Sequence, residues 1–211
     1  SRNVSIAAQA GGDPSMNPSL ALAIDKAKEA NMTNDVIARA IKKGTGELKD
    51  SVEIMEIYYE GYAPGGIPIM VRALTDSINR TVAHVRHIFS KYGGSMGNSG
   101  AVAHMFMKRG VLDMTYTGSQ ENAELAVIDS GAADYSFGEE GNVQVLTEVV
   151  DLHQVQKALQ EQGFILKESD IKYIPNSTQA ITDDAQLEEL SKFFDLMEDS
   201  DDIQEIYSTI E

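Results

Sequence analysis

The 211 residues are 42% hydrophobic and 24% charged, a globular balance that can bury a core and excludes the low-hydropathy, high-charge composition of disordered chains. Cysteine is absent, which excludes disulfides, thiolate zinc sites and iron–sulfur clusters and fits a reducing compartment. The net charge of −16 is divided unevenly, with 13 Lys/Arg against 10 Asp/Glu (+3) in residues 1–109 and 4 against 23 (−19) in residues 110–211, so a phosphate-facing role belongs to the first half and a solvated acidic surface to the second.

No apolar run reaches the roughly 18 residues of a spanning helix, and Ser1 to Ala10 lack the apolar core of a signal peptide; the expected location is the cytoplasm. Val4 to Ala8 read as the end of a helix. The turn-forming segment Gly11 to Pro18 then places Asn17 as an N-cap and Pro18 at the first helical position. Leu20, Ala23, Ile24, Ala27 and Ala30 follow at helical spacing, with Lys26 and Lys28 off that stripe. Thr33 starts a second helix with Val36, Ile37, Ala40 and Ile41 inside, Lys42 and Lys43 near its end, and Gly44 past its stop. The apolar faces of this hairpin are too small for a free-standing core.

From Glu53 the period becomes two. A strand over residues 54–60 leads through a turn at Gly61 to Gly66 into a second strand carrying Ile67, Ile69, Val71 and Ala73. Asp76 or Ser77 caps a helix running to about Tyr92, ended by Gly93-Gly94, and a glycine-rich loop leads to a strand over Ala101 to Lys108. From Gly110 the order of elements is βαββαβ, the split βαβ arrangement of ferredoxin-like folds. After Pro175 an acidic helix over Asp184 to Met197, carrying Leu187, Leu190, Phe193, Phe194 and Met197, and a strand near Ile203 to Thr209 return to complete the preceding unit. The fold class is therefore α+β: a helical N-terminal hairpin domain (1–50), a middle α+β domain (51–109 and 175–211) and an inserted acidic domain (110–174), the last two of ferredoxin-like type.

Chemistry-bearing motifs are sparse. The loop Gly93 to Gly100 joins a helix to a strand and lacks a Gly-Lys-Ser/Thr triplet, so it does not read as a nucleotide cradle. His84, His87 and His104 lack a nearby carboxylate to complete a metal set, and no nucleophile–base arrangement stands out. The expectation is a protein without catalytic residues, metal, cofactor or small-molecule substrate. The helix over residues 78–92 is more informative: Ile78, Val82, Val85 and Phe89 line one face, and Arg80, His84, His87 and Lys91 repeat at i, i+4, i+7 and i+11 on the other. Residues 77–109 contain no Asp or Glu. With Lys26, Lys28, Lys42 and Lys43 these residues form a candidate phosphate-binding track. It has no stacking aromatics or base-reading motif.

Three stretches carry a family resemblance: Gly11-Gly12-Asp13-Pro14 through Asn17-Pro18 to Ala40-Ile41-Lys42-Lys43-Gly44-Thr45-Gly46; Tyr59-Glu60-Gly61-Tyr62-Ala63-Pro64-Gly65-Gly66; and Leu74-Thr75-Asp76 with Asn79-Arg80-Thr81-Val82 to Lys91-Tyr92-Gly93-Gly94. They resemble the YebC/PmpR family of probable transcriptional regulators, which also includes a mitochondrial translational activator of a cytochrome oxidase subunit. The resemblance runs over nearly the whole chain. It implies a helical N-terminal domain, two α+β domains with the last inserted in the middle one, and control of gene expression through DNA or through ribosomal RNA on the ribosome. Family members usually open with a further basic helical segment, near whose end this chain begins.

Overall fold

The computed structural model describes residues 1–48 and 54–211; the start of the first strand at Glu53 and the boundary at residue 50 lie outside these. By contacts the chain divides into two compact units, Ser1–Phe106 with Pro175–Glu211, and Met107–Ile174.

Three helices open the first unit: α1 (Arg2–Ala8), α2 (Pro18–Glu29) and α3 (Asn34–Gly44). They bury Val4, Ala8, Leu20, Ala27, Ile37 and Ala40 against one another. Asn17 does more than cap α2. Its side-chain oxygen accepts from Leu20 N at 3.1 Å, while its amide donates to the Ala7 and Gly11 carbonyls at 2.7 and 2.8 Å. One buried side chain thus fixes the end of α1 and the start of α2, which accounts for the glycine–asparagine–proline segment. Gly44 lies inside α3 rather than beyond it, and the left-handed residue is Gly46 (φ 77°). The need at Gly44 is space: a Cβ there would fall on the Ser5 carbonyl and 2.7 Å from the Ala8 methyl, so glycine lets α1 lie on α3. Ser5 Oγ donates to the Ala40 carbonyl at 2.9 Å across the same seam.

The bundle is tied to a sheet by α1. The Arg2 guanidinium donates to the Asp201 and Leu74 carbonyls at 2.8 and 3.2 Å, and Gln9 donates to the Ile54 carbonyl at 3.1 Å. That sheet contains β1 (Met55–Ala63), β2 (Ile67–Thr75), β3 (Ser95–Met96) and β8 (Ile203–Ser208), in the order β3-β1-β2-β8, all neighbours antiparallel. The sheet differs from the sequence expectation in two places. Gly61 to Ala63 belong to β1, and the turn is only Pro64–Gly66. Gly61 stays in the strand because a Cβ would meet the Ser95 carbonyl at 2.5 Å and the Phe89 ring at 2.7 Å. The third strand of this sheet is the two-residue Ser95–Met96 inside the glycine-rich loop. The stretch expected to form it holds a 3-10 turn at Ala103–Met105 and then the start of a strand of the other sheet.

On one face of the sheet lie α4 (Ile78–Lys91) and α7 (Asp184–Glu198), with Phe89 and Phe193 edge to face at 5.2 Å. Both rings are fully buried among Ile69, Val71, Val85 and Met197, each burial worth about 1.5–3 kcal/mol. The buried stripe of α4 is Thr81, Val85, Ile88 and Phe89, with Val82 half-buried. Ile78, Val36 and Leu187, all expected inside, are exposed. Each sits in the first turn of its helix, before the helix has reached the surface it covers.

The second unit contains most of β4 (Phe106–Thr115), then α5 (Gln120–Asp129), β5 (Asp134–Phe137), β6 (Asn142–Thr147), α6 (Leu152–Glu161) and β7 (Ile165–Pro175), with strand order β5-β6-β4-β7. This is the split βαβ arrangement. Its core is Leu112, Met114, Val127, Val145, Val155 and Leu159, closed by Tyr116 stacked on Phe164 at 4.5 Å. Among the described residues the molecule is an α+β fold with two four-stranded sheets.

Candidate nucleic-acid interface

With Val85 and Phe89 fixing its inward side, α4 turns Arg80, His84, His87 and Lys91 outward, all exposed. Lys91 Nζ rests 5.3 Å from the centre of the Tyr92 ring, which holds the ammonium at the end of the helix. Arg86, which the i, i+4 pattern passed over, is exposed on the flank of this face.

Arg80 is placed differently from the rest. Its guanidinium donates to Asp202 Oδ2 at 2.8 Å and to Asp76 Oδ1 at 2.9 Å, and hydrogen bonds first to Asp202 and then to Asp76 hold its pKa above the ordinary arginine value. Its charge is therefore already balanced by two carboxylates. Asp202 is the centre of a wider cluster: it also accepts from the buried Thr81 and Thr75 hydroxyls at 2.8 and 3.2 Å and from Arg2 at 3.2 Å. Burial is the largest single influence on the Asp202 carboxyl and would raise its pKa, but the bonds from Arg80, Thr81 and Thr75 together bring it below the ordinary value. This cluster joins α1, the end of β2, the start of α4 and the residue before β8. No sequence signal pointed to Asp202, because its partners lie up to 200 residues away.

The loop after α4 is also ordered by a carboxylate. Glu60 in β1 is 5% exposed. Its two oxygens accept from Gly100 N, Val102 N and Ala103 N, each at 2.8 Å, and its carbonyl accepts from Gly97 N at 2.8 Å. Burial pushes its pKa up most strongly, yet the three N–H groups, together with nearby His104, leave it lowered. Those backbone donors point inward at Glu60 and are not presented to a ligand. What the loop exposes is Gly93, Ser95 and Asn98 to Gly100, which follow the cationic helix in sequence.

The remaining candidate cations lie on the bundle. Lys28 and Lys42 are exposed and Lys26 and Lys43 half-buried; Arg39, one helical turn before Lys42 and Lys43, is exposed as well and was missed by reading only the lysines. The structure brings Arg39, Lys42 and Lys43 together on α3, and His84, His87, Lys91 and Arg86 together on α4. What links the two groups is α1 and its bonds to the sheet.

Residues 1–47 match the family model described as the TACO1/YebC protein N-terminal domain, and residues 54–210 match that described as the TACO1/YebC second and third domain. The chain belongs to the TACO1/YebC family. A probable transcriptional regulatory protein of Persephonella marina is 42% identical over all of this chain and 84% of its own length, and one of Xanthomonas campestris is 44% identical over all of this chain and 87% of its own. A conserved hypothetical protein of Aquifex aeolicus, known from its crystal structure, superposes with a TM-score of 0.87 at 37% identity, covering all of this chain and 86% of that one. The likeness extends over all three family domains.

Proposed function

We propose that this TACO1/YebC protein is a cytoplasmic regulator of transcription that acts by binding DNA and not by catalysis. The observation that carries the reading is the outer face of α4: His84, His87, Arg86 and Lys91 project from a stretch of 33 residues, 77–109, without one Asp or Glu. Lys26, Lys28, Arg39, Lys42 and Lys43 on the bundle extend the cationic surface. Contacts of this kind go to phosphates, so they supply affinity and orientation without reading base sequence. Arg80 serves the face indirectly, by fixing the first turn of α4 on Asp202.

Anisotropy titration of a labelled DNA duplex at about 50 and 200 mM salt tests the proposal. If about five cations meet phosphates, affinity falls with a log–log salt slope of about −4.5. The double substitution R86E/K91E, at exposed positions, is expected to weaken binding at least tenfold while leaving the thermal melt unchanged. Absence of saturable binding at low salt overturns the reading. A structured ribosomal RNA fragment provides the second arm: binding to it through the same residues, with none to DNA, would move the site of action to the ribosome.

A further inference from the structure

The second unit contains a surface that nucleic-acid binding does not use. Helix α5 packs through Ala123, Ala126 and Val127, while Leu125 and Ile128 on its other side are each 57% exposed. At 100° per residue these two side chains are about 60° apart, and Glu124, Glu121 and Asp129 interleave with them around the same arc. The helix thus presents alternating carboxylates and large apolar groups to solvent. The surroundings do not neutralise it. Residues 110–151 contain nine Asp or Glu and no Lys or Arg. Among the described residues, the cation that reaches a carboxylate of this stretch within ion-pair distance is Arg109, on Glu148.

We infer that the outer face of α5 is a docking surface for a Lys/Arg-rich amphipathic helix of a partner protein. The chemistry selects that occupant. Nucleic acid is repelled by the carboxylates. A second copy meeting the same face symmetrically would set Glu121, Glu124 and Asp129 against their own duplicates. An uncharged apolar partner would strip water from carboxylates and give nothing in return. A helix with apolar residues at i, i+3 and i+4 and cations on both flanks covers Leu125 and Ile128 and meets the carboxylates on either side. Glu124 is already oriented by the Tyr135 hydroxyl, which donates to it at 2.6 Å.

The test uses the full chain and two short synthetic peptides of identical Leu/Lys composition, one with its leucines on a single helical face and one scrambled. Anisotropy at about 150 mM salt, where the screening length is about 8 Å, is expected to show at least tenfold tighter binding of the patterned peptide, with amide shifts in NMR confined to α5. L125S/I128S removes the preference, and E121Q/D129N weakens both peptides and flattens the salt dependence; all four positions are exposed or flank exposed groups, and circular dichroism checks that the fold is retained. Equal binding of the two peptides reduces the surface to general charge attraction and overturns the inference. So does a patterned-peptide affinity unchanged in L125S/I128S. Self-association abolished by L125S/I128S would show that the occupant is a second copy, and also overturns it.

Discussion

Replacing Asp202 by alanine removes the acceptor on which α1, α4 and the end of β2 converge. Arg2 keeps the Leu74 and Asp201 carbonyls and Arg80 keeps Asp76, and their side chains are 38% and 57% exposed, so water replaces much of what they lose. The full 3–5 kcal/mol of a broken buried pair therefore does not apply. Thr75 and Thr81 are 0% and 1% exposed; Thr81 can turn to the Ser77 carbonyl at 3.1 Å and then accept from the Thr75 hydroxyl 2.8 Å away, so the pair loses its bonds to a charged acceptor, at about 1.5–3 kcal/mol. Adding the weakened charge-assisted bonds gives a loss of about 2–3 kcal/mol. For a chain of this size that lowers Tm by about 5–10 °C. Differential scanning calorimetry at neutral pH measures it, and Asp202→Asn, which keeps one acceptor oxygen, should lose about half as much. Because the folded pKa of Asp202 lies below its unfolded value, its contribution is complete above the ordinary carboxylate range and disappears as pH falls through the folded pKa. The melts of wild type and Asp202→Asn should then converge in acid. An alanine variant within about 0.5 kcal/mol of wild type, or a difference independent of pH, would refute the assignment of Asp202 as the joint.

Gly44→Ala places a methyl on the Ser5 carbonyl; although alanine is the better helix former by about 1 kcal/mol, the variant should be destabilised, with earlier exchange of the α1 amides by hydrogen–deuterium mass spectrometry. Glu60→Gln keeps the shape but loses the charge that accepts three N–H bonds. Since the Glu60 pKa is lowered in the fold, the stability deficit should be full at neutral pH and vanish in acid. Its local sign should be faster amide exchange at Gly100, Val102 and Ala103. Gly61→Ala, with its Cβ 2.5 Å from the Ser95 carbonyl, should cost about 2 kcal/mol or more, since backbone cannot yield as a flexible side chain does, and the thermal melt would record it.

The elements were readable wherever a local rule governed them. Asn17-Pro18 marked the start of α2 because capping is a three-residue interaction, and the order βαββαβ followed from changes of period. The outward face of α4 was legible for the same reason: its residues recur on one helix. The residues that resisted reading act over long separations. Glu60 sits in a strand as one member of an alternation, and nothing local shows that three N–H groups from 40 residues later converge on it. Arg80 scanned as another surface cation because its carboxylate, Asp202, is 122 residues away. Gly44 looked like a helix stop because its function, contact with α1, depends on packing. Thus the cationic face was found with one residue whose charge is engaged elsewhere, and Arg86 and Arg39 were overlooked.

The first sheet is assembled from both sides of an intervening unit, and this sets an order of events during synthesis. Residues 107–174 hold every strand and helix of their own sheet apart from the ends of β4 and β7, and can close as they leave the ribosome. At that moment β2 still has an unpaired edge along Ile69, Met70 and Val71, and Phe89 has no ring against it; such edges invite pairing with other chains. Only when α7 and β8 emerge are the edge and the ring both covered. Asp202 arrives with them, so the carboxylate that joins Arg2 to Arg80 is made only after the intervening unit, and until then α1 is held by α3 and by the Leu74 and Ile54 carbonyls.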